Sequence, residues 1–183
     1  GRGFAVLTMD TTYFSQQSIQ KSKAVFDWIE DPSSLPMINK DKIYALGFCY
    51  GAPIMLMGLS ASKIRPLQGI IGVAGAYDLT VTARQWREVE EDLPFYDRWF
   101  QLANPDASLH NFGSSPMLVL TAQDDSHAAI TCSEVFYAVL EERSAKVKLE
   151  YVPGSHFQVF KQLGQIDSVA NQRIGDFIDG DLA

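Results

Sequence analysis

Phe4-Ala5-Val6-Leu7-Thr8-Met9 is a short apolar run without polar alternation, and it ends at Asp10. A run of this kind predicts a strand buried on both faces, as in parallel sheets. Four similar runs follow, at Lys42 to Gly47, Gly69 to Ala74, Met117 to Thr121 and Val147 to Val152. Helical patterns lie between them. Asp10 to Glu30 places Ile19, Val25, Phe26 and Ile29 at helical spacing and gives way to Asp31-Pro32-Ser33-Ser34, a turn composition that cannot continue a helix. Between the fourth and fifth runs, Ala129, Cys132, Phe136, Val139 and Leu140 form one stripe, with Glu134, Glu141, Glu142 and Arg143 on other faces. A last helix carries Ile166, Val169, Ala170, Ile174, Phe177 and Ile178 on one side. Alternation of strand and helix predicts an α/β domain with a mostly parallel sheet flanked by helices and right-handed crossovers.

Residues 81–115 break the rhythm. They hold Trp86, Phe95, Tyr96, Trp99, Phe100 and Phe112 among many charges, and they separate two strands by more than a crossover helix needs. We read them as an inserted helical cap, because long insertions above a sheet commonly cover a ligand site. The alternative is a longer helical crossover that packs its aromatics into the core.

At 183 residues the chain has room for a single domain, and two cysteines exclude a disulfide scaffold. Fifteen Lys and Arg against 22 Asp and Glu leave a formal charge of -7, so there is no electrostatic footprint for nucleic acid or for an anionic membrane. No run of about 18 apolar residues and no secretory leader pattern is present. The expectation is a soluble, cytoplasmic protein.

The stretch richest in chemistry is Lys42-Ile43-Tyr44-Ala45-Leu46-Gly47-Phe48-Cys49-Tyr50-Gly51-Ala52. A strand runs into Gly-x-Cys-x-Gly, and a helix-compatible apolar segment follows. This is the layout of a nucleophile elbow, with cysteine where serine is commoner. Gly47 and Gly51 are expected to be needed sterically, since side chains there would meet the neighbouring strand and helix. A helix N-terminus beside Cys49 favours the thiolate, and the Tyr50 N–H is a candidate oxyanion donor. The competing reading makes Cys49 a small buried apolar residue, as Cys132 is expected to be.

A thiol nucleophile needs a base. His156, in Tyr151-Val152-Pro153-Gly154-Ser155-His156-Phe157, is expected in a loop just past the last strand, at the sheet edge where ligands bind in open α/β sheets. His110 reads as a surface or lid residue, and His127 as a neighbour of the site. The base needs an orienting carboxylate, and either Asp124 or Asp125, in the loop after Met117 to Thr121, can serve. Nucleophile, acid and histidine thus follow one another at successive strand ends, the chain order of α/β-hydrolases. Helix capping by Asp124, Asp125 or Ser126 is the competing reading for that loop, and it is compatible with catalysis. Asp124, Asp125 and His127 lack the spacing of a metal site, and no glycine loop of a nucleotide-binding kind occurs, so no metal and no cofactor are expected.

With these residues the sequence resembles the α/β-hydrolase superfamily, and within it the dienelactone hydrolases. The resemblance rests on Gly3-Phe4-Ala5-Val6-Leu7 leading to Asp10, on the cysteine elbow, and on Asp125 after a Pro-Met-Leu-Val-Leu strand. It extends through Pro153-Gly154-Ser155-His156-Phe157 and the closing helix from Ser168 to Ile178. It implies Cys49 as nucleophile, His156 as base and Asp125 rather than Asp124 as acid. It further implies hydrolysis of a small ester or lactone; Trp86 and Trp99 of the insertion, and His127 beside Asp124 and Asp125, are the candidate substrate or lid residues. The chain departs from the family where substrate-binding arginines would stand, since Phe14 and Phe160 lie near those places, and this argues against a dianionic dienelactone. Ala76 to Thr80 and the aromatic insertion look more like esterases and acylaminoacyl hydrolases of the superfamily. The resemblance also implies an upstream strand between Phe4 to Met9 and Lys42 to Gly47, whose loop gives the second oxyanion donor. The expectation is therefore an N-terminally shortened domain. A non-catalytic binding module, or an acyltransferase or amidase on the same triad, are the alternative readings.

Overall fold

Four of the five expected strands form, and they pair in the order in which the chain supplies them. The computed structural model describes residues 5–9, 15–31, 33, 38–77, 115–142 and 146–180. Strands β1 (Tyr44–Phe48), β2 (Gly69–Val73), β3 (Met117–Ala122) and β4 (Val147–Val152) make one sheet of order β1-β2-β3-β4. All three pairings are parallel, and Phe48 pairs with Val73, Val73 with Leu120, and Ala122 with Val152. The carboxyl ends of all four strands therefore share one edge.

The helices are α1 (Gln16–Glu30), α2 (Gly51–Ala61), α3 (His127–Glu142), α4 (His156–Gln162) and α5 (Val169–Asp179). Ser15 caps α1 by accepting from the Ser18 N–H at 3.1 Å, and Ser168 caps α5 by accepting from the Asn171 N–H at 3.2 Å. Beyond α5, Gly180 adopts φ 89°, a left-handed conformation that glycine takes without steric cost. On one face of the sheet, Phe26 and Ile29 of α1, Met55, Leu56 and Leu59 of α2, and Phe136 and Leu140 of α3 pack on Ala45, Ile70, Met117 and Val119. On the other, Val159 of α4 and Ala170 and Phe177 of α5 cover Ile71, Val73, Leu118, Leu120 and Val152. The expected α/β architecture is present, with Cys132 in the interior at 1% exposure.

Two expectations fail. Residues 5–9 form no strand, and Val6 and Leu7 are 82% and 55% exposed. An apolar run becomes a strand only where a neighbour takes its N–H and C=O groups. Among the described residues β1 pairs with β2 alone, and residues 5–9 have no such neighbour. Ile166 is 89% exposed, because α5 starts three residues later than its apolar pattern and Ile166 stands outside the helix. The proposed cap, with Trp86, Trp99 and His110, lies outside the described residues apart from Ser115, as do Phe4, Asp10 and Phe14. No helix among the described residues is long and apolar enough to cross a membrane.

Candidate active site

Cys49 sits between the end of β1 and the start of α2, and its backbone is left-handed, with φ 51°. A non-glycine residue in that region is strained by about 1–3 kcal/mol and persists only where the surroundings over-determine it. Here they do: the Cys49 N–H donates to the Val73 carbonyl at 3.0 Å, and the Cys49 carbonyl accepts from the Ala52 N–H at 3.2 Å. The turn lifts the side chain to the sheet edge, where the residue is half-buried. Tyr50 is the N-cap residue of α2, so the thiol lies at the positive end of the helix dipole.

The two flanking glycines are not equivalent. A Cβ on Gly47 would stand 2.5 Å from the Cα of Ala52 and 2.6 Å from the carbonyl oxygen of Gly51, both backbone atoms. A Cβ on Gly51 meets nothing within 4 Å among the described residues, which corrects the expectation that both positions are sterically closed. Gly51 starts α2 with its Cβ direction open, whereas Gly47 is pressed against the first turn of that helix.

His156 is not in a loop. It is the first residue of α4, and Gln158 Oε1 accepts from the Ser155 N–H at 2.8 Å, the returning half of a capping box. The Ser155-His156-Phe157-Gln158 spacing carried that signal in the sequence. Upstream, Gly154 adopts φ 109°, and its carbonyl accepts from the Asp124 N–H at 3.1 Å. The chain leaving β4 is thereby bent back over the end of β3.

That bend delivers the imidazole to the carboxylate. His156 Nδ1 and Asp125 Oδ2 are 2.7 Å apart, while Asp125 Oδ1 accepts from the Ser126 N–H at 2.8 Å. The Asp125 side chain is 8% exposed, so water competes little for it. With Nδ1 engaged, Nε2 is the ring nitrogen left for the Cys49 side chain, which acts on the imidazole. Asp124 is exposed, and so is His127, which opens α3. Helix capping falls to Ser126, whose Oγ accepts from the Ala129 N–H at 3.3 Å. Among the described residues no group of three or more His, Cys, Asp and Glu side chains is arranged to hold a metal ion. The ring of Phe48 lies 4.9 Å from that of His156 and 4.8 Å from that of Phe160, and Phe157 meets His156 edge-on at 5.4 Å. No periodicity along the chain singles out these three phenylalanines.

The hydrogen bond to Cys49 raises the His156 pKa most; burial opposes it, Asp125 adds to it, and the result is a value pushed up to about 9 from 6.5. A raised value means that the protonated ring favours the folded site. That contribution is present in full below about pH 6.5 and is lost as the pH rises through 9. An NMR titration of the imidazole should therefore show a midpoint near 9 in the native chain. Cys49→Ala should move it down further than Asp125→Asn, since the sulfur is the larger cause. A midpoint that ignores Cys49→Ala would contradict the hydrogen bond.

No protein-family model matches the sequence, and no curated protein matches it. Solved structures do. The chain is similar to the acylaminoacyl peptidase of Pyrococcus horikoshii, with a TM-score of 0.64 and 20% identity, over 90% of this chain and 27% of that one. A hyperthermophilic esterase from Pyrobaculum calidifontis gives a TM-score of 0.63 at 17% identity, over 90% of this chain and 61% of that one. An esterase/lipase from an uncultured bacterium gives 0.60 at 17%, over 90% and 60%. The chain thus spans about a quarter of the peptidase and about three-fifths of each esterase. With its parallel sheet, flanking helices and sharp strand-to-helix turn at Cys49, the chain has the α/β-hydrolase fold.

Proposed function

We propose that the chain hydrolyses carboxylic esters or lactones, with Cys49 as nucleophile, His156 as acid and base, and Asp125 as the group that orients His156. The observation that carries this reading is the pairing of His156 with Asp125 at 2.7 Å, beside the left-handed turn at Cys49 and at the carboxyl edge of a parallel sheet. Such edges are where ligands bind in open α/β folds.

In this reading His156 takes the proton of the Cys49 thiol. The sulfur attacks the carbonyl carbon, and the carbonyl π pair moves to oxygen, toward the Tyr50 N–H at the head of α2. When the tetrahedral intermediate collapses, the C–O bond to the alcohol breaks and His156 gives its proton to the leaving oxygen. A thioester remains. The now neutral His156 takes a proton from water, hydroxide adds to the thioester, and the C–S bond breaks to return the thiolate with a carboxylic acid. Asp125 holds the proton on Nδ1 throughout, so Nε2 always faces the reaction. The cysteine in the elbow makes dienelactone hydrolases the proposed subfamily. Amide cleavage on the same triad is the second reading, favoured by the fold likeness to an acylaminoacyl peptidase.

Mass spectrometry after exposure to a panel of p-nitrophenyl esters tests the proposal. The expected result is an acyl mass on the peptide that contains Cys49. No adduct there, together with hydrolysis that survives Cys49→Ala, would sink it.

A further inference from the structure

The mechanism uses one edge of the His156 ring, and the surroundings of that ring say what should lie next to it. Phe48 packs on the imidazole from the end of β1, Phe157 meets it edge-on, and Phe160 extends the wall from Phe48. Phe157 and Phe160 are 71% and 53% exposed, although large apolar side chains of a short helix ordinarily turn inward as Val159 does at 0%. Helix α4, His-Phe-Gln-Val-Phe-Lys-Gln, has no carboxylate and a single cation near its end.

We infer that Phe48, Phe157 and Phe160 form the subsite for the alcohol portion of the ester, and that they select an uncharged, apolar or aromatic leaving group. The inference rests on the function proposed above and follows from proton transfer. The leaving oxygen takes its proton from His156, so it lies within hydrogen-bond reach of the ring, and the carbon bonded to it comes one bond farther out. Those first atoms of the alcohol meet the rings that flank His156. An alkyl chain or a phenyl ring there removes exposed aromatic surface from water on both partners. A carboxylate or phosphate on the alcohol would lose its hydration against phenyl faces.

The test compares esters that share a butyryl group and differ only in the alcohol: benzyl, ethyl and the anionic glycolate. In the native chain kcat/KM for benzyl butyrate is expected to exceed that for ethyl butyrate by about tenfold or more, with the glycolate ester slowest. Phe160→Ala should shrink the benzyl to ethyl ratio several-fold, while Phe160→Leu keeps most of it. Because Phe160 is half exposed, a thermal melt should show both variants folded. An unchanged ratio in folded Phe160→Ala overturns the subsite and leaves the hydrolase standing. A second readout does not depend on turnover: benzyl alcohol, but not ethanol, should shift the ring signals of Phe157, Phe160 and His156 in an NMR titration. Ring shifts with no acyl adduct at Cys49 would support the aromatic subsite and remove the proposed hydrolysis. Absence of shifts overturns the subsite.

Discussion

Replacing His156 with alanine is expected to slow hydrolysis of an activated ester by roughly 10³–10⁴-fold, with the fold intact. Three separate losses combine in that number. In the proposed mechanism the group that takes the proton of the Cys49 thiol disappears. The proposed acid for the leaving oxygen is gone, and so is the proposed base for the water that would clear a thioester. The side chain is largely enclosed, with 22% exposure, but it meets Asp125, Phe48 and Phe157 outside both core clusters, so its removal leaves the sheet core untouched. Asp125→Asn should give a comparable but smaller loss. Its amide can present an NH₂ to Nδ1, which permits the tautomer that leaves Nε2 protonated. Stopped-flow assays with a p-nitrophenyl ester measure both variants, and a loss below about tenfold for His156→Ala would argue that the ring is a structural neighbour of Cys49 and no more.

Gly47→Ala is expected to cost about 3 kcal/mol or more, a large part of the roughly 5–15 kcal/mol that holds a domain of this size together. The new methyl would lie 2.5–2.7 Å from three backbone atoms of Gly51 and Ala52. No side chain can rotate away to relieve that contact. The first turn of α2 must move off β1, and Ala52, which is fully buried there, must move with it. Gly51→Ala, four residues away and in the same motif, should change stability by less than about 1 kcal/mol, and in the favourable direction, because alanine is the better helix former. Urea titrations of the two variants decide the matter. Equal destabilisation would mean that the turn has no preferred side.

The sheet was legible because its strands are short, apolar without alternation, and separated by helices, so each announced itself locally. The His156 and Asp125 pair was legible for a related reason: both residues follow strands that end on one edge. What periodicity missed is what depends on neighbours. Ala5 to Met9 has the composition of a buried strand and lacks one, because composition says nothing about whether an adjacent ladder exists. Helix α4 is seven residues long, too short for a 3.6-residue pattern to emerge, and only the Ser155 and Gln158 spacing marked it. The inequality of Gly47 and Gly51 is a matter of distances to Ala52, which no spacing encodes.

Because the strands stand in the sheet in the order of the chain, each can dock on the last without displacing a pair already made. Cys49 arrives with the first of them, and His156 only after the fourth, about a hundred residues later. At a synthesis rate of about 5–20 residues per second, the thiol waits many seconds on the ribosome for its imidazole. A nascent or interrupted copy therefore lacks the imidazole partner of Cys49, and the proposed site is assembled only when the last part of the chain closes over it.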